Sequence, residues 1–296
     1  MLEGNLIKDM NIKTSFSHRN HEPEVGVLYI VGTPIGNLSD ISSRALKILS
    51  NVSFIACEDT RETKKILNKF KIKNNLVSFN KNNAFKKIPV IIKDLNEGKS
   101  IALVSDAGMP SICDPGENLV KNAKLNKIDV ICIPGPCAAI TALVSSGFPT
   151  SSFIFKGFLP RKKTEREELL KEISKNHETT VLYESPKRLK RLLEELKEYC
   201  GGEREIEISR ELTKKFEEHI GRDINNVLKH FEDKDIIGEI TVVIRGIDQS
   251  KTPEFDELSL RKELYELREV GLSLSSASKY LAKKKNLPKS IIYKLH

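Results

Sequence analysis

The sequence predicts an α/β protein of two lobes followed by a small C-terminal helical segment, and three observations carry that reading. Past Val25, short β-branched apolar runs alternate with amphipathic stretches, the mark of βαβ units and a mostly parallel sheet. Near the middle, residues 147–152 (GFPTSS) interrupt the alternation with turn-forming residues. Beyond residue 255 the alternation stops and leucines recur at helical spacing. The 296 residues suffice for two globular units at roughly 100–200 residues per domain.

In the first lobe, residues 27–31 (VLYIV) form a continuous apolar run, the pattern of a strand buried on both faces. Spacing then predicts a helix over 42–50, a strand at 52–56, a helix at 60–70 and a short strand at 76–79. A helix is expected at 88–95 with Pro89 in its first turn, where a missing N–H is tolerated. Strands at 101–104 and 129–133 bracket a helix at 117–125, and small residues at 138–146 make the last helix of the lobe. In the second lobe, strands at 153–156, 179–183, 205–209 and 239–245 are interspersed with helices at 164–175, 187–199 and 224–231. Residues 248–255, with Pro253, read as a linker. Leu260, Leu264, Leu267 and Val270 then share a helix face that Gly271 ends, 273–284 forms a second helix, and Pro288 opens a third. These elements place domains at 25–147, 148–247 and 256–296, after a polar tail at 1–24 expected to be disordered. The helix–turn–helix outline at the end fits either a nucleic-acid module or a helical cap whose Lys283-Lys284-Lys285 run is merely solvated.

A surplus of 49 Lys and Arg over 41 Asp and Glu gives a net charge of +8, which admits a polyanionic partner without establishing one. No stretch approaches the ~18 apolar residues of a membrane span, and no secretory signal is visible, so a cytoplasmic protein without membrane contact is expected. Cys57, Cys113, Cys132, Cys137 and Cys200 are odd in number and form no C-x-x-C pair, so reduced thiols and no metal site are expected.

The informative residues fall at the carboxyl ends of predicted strands, where open α/β sheets bind ligands. Gly32-Thr33-Pro34-Ile35-Gly36 allows a tight turn and close backbone approach, but it is neither G-x-G-x-x-G nor a phosphate loop with its Lys. In Ser105-Asp106-Ala107-Gly108-Met109, Asp106 is placed to accept hydrogen bonds from a ligand, whereas Asp114 reads as the N-cap of the next helix. Pro134-Gly135-Pro136-Cys137-Ala138 leads small residues into a helix, leaving backbone N–H groups open. Glu58-Asp59-Thr60-Arg61 clusters charge at a strand end, either as a reactive group or as an Asp59–Arg61 ion pair capping a helix. Glu184, Arg210, Glu211 and Lys214 follow strands of the second lobe, and Arg161, Lys162 and Lys163 form a basic loop that is either a phosphate contact or a solvated run.

The segments VGTPIGNLSDIS, ACEDTRETKK, LVSDAGMPSICDPG, PGPCAAITALVSSG, FKGFLPRKK, YESPKRL, SRELTKKFEE and GEITVVI, in this order, resemble the tetrapyrrole methylase superfamily. Within it they are most similar to the small-subunit rRNA (cytidine-2′-O-)-methyltransferase branch, over residues 27–244. The resemblance implies two lobes of the tetrapyrrole methylase type, S-adenosyl-L-methionine in the cleft between them, a homodimer, and ribosomal RNA or the small ribosomal subunit as partner. It carries cofactor contacts to Pro34, to Asp106, Gly108 and Met109, to Cys137 and Ala138, and to Tyr183, Gly238 and Ile240. Met109 and Cys137 stand where the family pattern leads us to expect Thr or Ser, so contacts there fall to backbone groups.

A sulfonium methyl group is already activated, so such an enzyme needs alignment and a base rather than a metal. Candidates for the catalytic set are Glu58, Asp59 and Glu184 as base, with Arg61, Arg210 and Lys214 holding phosphate or alkoxide. Glu58 and Asp59 rank first because they adjoin in a segment that marks the branch. The alternatives are a porphyrin or corrin methyltransferase and a non-catalytic RNA-binding assembly factor.

Overall fold

The computed structural model describes residues 21–248, 257–285, 287, 292, 293 and 295. The chain divides into two compact units, 1–245 and 246–296.

The first unit holds two sheets. In the first, β1 (Leu28–Val31), β2 (Phe54–Cys57), β3 (Leu76–Ser78), β4 (Ile101–Val104) and β5 (Val130–Ile133) run parallel in the order β3-β2-β4-β1-β5. Every residue of β1, β2 and β4 is buried, which is why these strands are unbroken apolar runs rather than alternations. Successive side chains serve opposite faces. Tyr29, Val31 and Ile55 join an apolar cluster with helices α1 (Ser43–Asn51) and α2 (Thr60–Lys69). Leu28, Ile30 and Leu103 join another with α3 (Ala84–Asn96) and α4 (Glu117–Leu125). The Ser42 hydroxyl and the Asp59 carboxylate accept backbone N–H groups at the starts of α1 and α2, satisfying donors that the helix leaves orphaned.

Pro89 lies inside α3, not in its first turn. The helix begins earlier than expected because Asn80 Oδ1 accepts the N–H groups of Asn82 and Asn83 and turns the chain before Ala84. The helical bond that Pro89 cannot donate would have gone to Phe85, a residue 91% exposed, so the missing bond falls on the solvent side of the helix. At the other end of the lobe, the tail expected at 1–24 falls mostly outside the described residues. Its last part is ordered: Glu22 is buried and its carboxylate pairs with Arg44 at 2.5 Å.

The second sheet comprises β6 (Phe153–Phe158), β7 (Thr179–Glu184), β8 (Glu205–Arg210), β9 (Glu218–Asp223) and β10 (Ile240–Ile244), in the order β6-β7-β10-β8-β9. Only β6 and β7 pair in parallel, so this second sheet is mixed where the sheet of the first lobe is parallel as expected. A short loop joins β8 directly to β9, and such a connection forces antiparallel pairing. The sequence reading passed over β9 (EHIGRD): only Ile220 is buried and the rest is charged or Gly, the composition of an edge strand that repels further pairing. Helices α6 (Lys163–Lys175), α7 (Pro186–Cys200) and α8 (Ile224–His230) cover one face through Leu170, Leu189, Leu192, Leu193 and Val227. Against Val181 and Val243 of this sheet packs α5 (Ala138–Ser145), the last helix of the first lobe, through Ala139, Ala142 and Leu143. That apolar contact joins the two lobes.

In the second unit, Leu260 and Leu264 of α9 (Glu257–Glu269) meet Ala277 and Leu281 of α10 (Leu274–Lys285). Lys284 and Lys285 both pair with Glu263, so two members of the basic run are neutralised internally. The helix expected from Pro288 lies outside the described residues.

Candidate active site

The loops after β1, β4 and β5 meet at the carboxyl edge of the parallel sheet. Thr33 and Gly108 exchange backbone hydrogen bonds at 2.9 and 3.1 Å, tying the first loop to the second. A Cβ on Gly32 would stand 2.6 Å from Met109 Sδ and 2.7 Å from Gly135 Cα, so the first and third loops cross backbone to backbone as only glycine allows. The cleft above this crossing has a volume of about 510 Å³, within the ~300–1,000 Å³ usual for small-molecule sites. Glu58, Asp106, Gly108, Met109, Asp114 and Cys137 line it from the first lobe. Phe158, Tyr183, Ser209, Gly238 and Ile240 line it from the second.

Among the carboxylates that line this space, burial pushes Glu58, Asp106 and Asp114 above their ordinary range. For Glu58 the nearby charges of Asp114 and Asp106 add to that desolvation, while Lys81 opposes it. Asp114 is raised by burial against the pull of Lys81 and of a hydrogen bond with Ser105. Asp106 is raised by burial although its Oδ1 accepts the N–H of Asp59 at 2.9 Å. Burial also holds the Tyr183 hydroxyl well above the usual phenol value, so it stays protonated, and its oxygen accepts the N–H of Ala139 at 3.2 Å. The N-cap residue Cys137 makes no side-chain cap, so apart from that of Ala139 the N–H groups of the first turn of α5 are open to a ligand.

The sequence candidates divide on this geometry. Glu58, Asp106, Gly108, Met109, Cys137, Ala138, Tyr183, Glu184, Gly238 and Ile240 all reach the cleft. Pro34 sits in the turn between the bridged Thr33 and Ile35, of which only Ile35 lines the cleft. Asp59 points away: its carboxylate caps α2, pairs with Arg61 at 2.6 Å, and is held at about 2 by those bonds to Arg61. The Arg61 side chain is 85% exposed, so the structural alternative describes this pair.

Lys214 stands outside the lining, its Nζ bound to Glu211 at 2.8 Å and Glu239 at 3.0 Å. Its loop touches the first lobe, where the N–H of Asn37 donates to Thr213 Oγ1 at 3.0 Å. Arg210 likewise is held by Glu218 at 2.8 Å. Glu184 reaches the cleft wall, but its fully buried carboxylate is committed to Arg188 at 2.5 Å and the Ser185 N–H at 2.7 Å, with Arg166 at 3.7 Å.

Asp114 requires a correction. It is not the N-cap of α4; Gly116 is, at φ +154°, a conformation that side chains resist, and this turn leaves Asp114 directed into the cleft beside Ser105. Phe158 and Ser209 were also missed as lining residues. The signal for Ser209 was its place one residue before Arg210 at a strand end; the reason for Phe158 lies in a strand irregularity taken up below.

The fold of the two α/β lobes is similar to that of solved methyltransferases of low sequence identity. Cobalt precorrin-4 methyltransferase, a cobalamin biosynthetic enzyme, superposes with a TM-score of 0.57 at 16% identity, over 74% of this chain and 95% of that one. A uroporphyrin-III-C-methyltransferase from Thermus thermophilus gives 0.52 at 18% identity, over 74% and 94%. The chain belongs to the Tetrapyrrole (Corrin/Porphyrin) Methylases, whose family model matches residues 27–225. Among curated relatives, the ribosomal RNA small subunit methyltransferase I of Thermotoga maritima is 50% identical over 222 residues, covering 75% of this chain and 99% of that protein. The protein of the same name from Synechocystis sp. is 41% identical over 271 residues, covering 92% and 97%.

Proposed function

We propose that this protein transfers a methyl group from S-adenosyl-L-methionine to the ribose 2′-hydroxyl of a cytidine in small-subunit ribosomal RNA. The observation that carries the reading is the 50% identity to a ribosomal RNA small subunit methyltransferase I along 99% of that relative's length. The likeness to the corrin and porphyrin enzymes, at 16–18% identity, speaks for the fold alone.

The residues present fit the cofactor. Asp106 offers a carboxylate, the start of α5 offers uncapped backbone donors at Cys137 and Ala138, and Gly108, Met109, Gly238 and Ile240 complete a space of suitable size. When bound there, S-adenosyl-L-methionine supplies a methyl group already activated by its sulfonium. The protein's part is to align the hydroxyl and take its proton. Glu58 is the base: it lines the cleft, and its raised pKa brings proton affinity nearer to that required at neutral pH. The protonated Tyr183 hydroxyl fixes the start of α5 against the second sheet, and Asp106 positions the strand end of Glu58 through the Asp59 N–H. Ordering of both reactants in this way contributes up to ~7–11 kcal/mol in well-oriented cases.

The test incubates purified protein with methyl-labelled S-adenosyl-L-methionine and small ribosomal subunits from cells lacking the modification. Nuclease digestion and mass spectrometry are expected to place label on the ribose of a single cytidine. Asp106→Ala is expected to weaken S-adenosyl-L-methionine binding by calorimetry at least tenfold, in line with the roughly 1.5–3 kcal/mol of a hydrogen bond to a charged group. Label on a macrocycle, or RNA binding indifferent to Asp106→Ala, would replace this reading by one of its alternatives.

The same reading takes the chain as a homodimer acting in the cytoplasm. Exposed Ile140 and Val144, one turn apart on α5, support a partner surface there. Light scattering is expected to give twice the chain mass, and Val144→Asp to shift it towards the monomer. Among the described residues no helix is long and apolar enough to cross a membrane.

A further inference from the structure

In a regular strand beside β7, side chains alternate, and Phe158 would fall on the face opposite Phe155. It does not. The pairing runs Phe155 to Val181, then Gly157 to Leu182 and Phe158 to Tyr183, so Lys156 is an extra residue and β6 carries a bulge. A one-residue slip moves every later side chain to the other face. Phe158 is thereby turned away from the leucine core under α7 and onto the face of Val181 and Tyr183, which is the cleft wall. The ring geometry agrees: Tyr183 lies 5.0 Å from Phe155 and 5.6 Å from Phe158 between ring centroids.

The bulge is built in from both lobes. Gly157 at φ +61° makes the turn, and a Cβ there would press to 2.8 Å from Cys113 Sγ in the loop after β4. That close approach packs the backbone under the ring against the first lobe. Yet the residue is 53% exposed, an aromatic ring left open at a cleft where Phe155 and Tyr183 are half-buried. Three residues further on come Arg161, Lys162 and Lys163; Lys162 and Lys163 make exposed pairs on their own helix, and Arg161 has no ion-pair partner among the described residues.

We infer that Phe158 is a stacking platform for a base of the RNA acceptor, with the basic loop at 161–163 gripping the adjoining phosphates, an inference that rests on the function proposed above. A ribose buried in a helix cannot reach a cleft of this depth, so its nucleotide must be drawn out of its stack. A flat, fixed, half-open ring beside positive charge is what receives an unstacked base and its backbone.

The experiment measures steady-state methylation of small subunits from cells lacking the modification by wild type, Phe158→Ala, Phe158→Leu and Phe158→Tyr, with S-adenosyl-L-methionine Kd by calorimetry for each. Loss of one base–aromatic stack is expected to lower kcat/KM for subunits about tenfold to a hundredfold in the Ala and Leu variants. The loss appears in KM for subunits, with donor Kd unchanged and with Tyr restoring wild-type behaviour. A Leu variant as active as wild type overturns the platform, because the ring would then only fill space. So does a donor Kd that weakens in step with kcat/KM, because Phe158 would then be a wall of the donor site. Wild-type protein that methylates no subunit RNA sinks the proposed function and this inference with it; active wild type with an unimpaired Ala variant sinks the platform alone.

Discussion

Glu58→Gln is expected to lower turnover by about 100- to 10,000-fold, the usual worth of a general base, while S-adenosyl-L-methionine affinity holds. Glu58 is the one carboxylate of the Glu58–Asp59 pair that faces the cleft; Asp59 is spent on the α2 cap and on Arg61. Asp59→Asn is therefore expected to leave turnover largely intact, because Asn caps a helix start about as well as Asp. The pH dependence carries a sign of its own. Burial and the neighbouring Asp114 and Asp106 charges raise the folded pKa of Glu58, so turnover in wild type rises with pH through that raised value. The limb disappears in the Gln variant. A group with a raised folded carboxyl pKa contributes stability below its unfolded pKa and loses it as pH rises through the folded value. Above that folded value the ionised Glu58 therefore opposes folding, and the Gln variant is expected to melt at or above wild type there, its advantage disappearing below about pH 4. Single-turnover rates equal to wild type would remove Glu58 from the mechanism.

Glu184→Ala is expected to cost about 3–5 kcal/mol of stability, seen as a lower midpoint in urea. The side chains of Glu184 and Arg166 are 0% and 4% exposed, and removing the carboxylate strands a buried guanidinium with only Glu195 to hold it. Arg188, at 2.5 Å, loses its main partner at the same time. At a temperature where the variant remains folded, its donor Kd is expected to match wild type. Full stability together with abolished turnover would instead restore Glu184 as a base. One of its oxygens and one Arg166 nitrogen are buried without a hydrogen-bond partner, so the network is held by charge more than by ideal geometry.

Much of the chain was legible because the signals were local. The runs at Leu28–Val31 and Ile101–Val104 are too short and too uniformly apolar to be anything but strands buried on both faces. The loops after them carry glycines whose need for close approach the structure bears out at Gly32. What failed was non-local. Nothing within Glu218–Asp223 announces a strand, since its pairing with β8 supplies the order its own residues lack. Asp114 looked like a cap because an Asp before a helix usually is one; the positive φ of Gly116 took that role and left Asp114 in the cleft. Phe158 was invisible as a lining residue because the expected strand stops at residue 156, and the continuation of β6 through a bulge is seen only in the register with β7.

The amino-acid sequence by itself determined the α/β class, the strands of the parallel sheet, the glycine turns at its carboxyl edge and the family, because apolar run length, turn chemistry and ordered motifs are properties of contiguous residues. The tertiary structure alone decided which of two adjacent carboxylates faces the cleft. Proton affinity and access depend on groups brought together from afar: Asp106, 47 residues from Asp59, holds that strand end in place, and burial, with the charge of Asp114 added to it, raises Glu58. The electrostatics of the site follow from that folding in space.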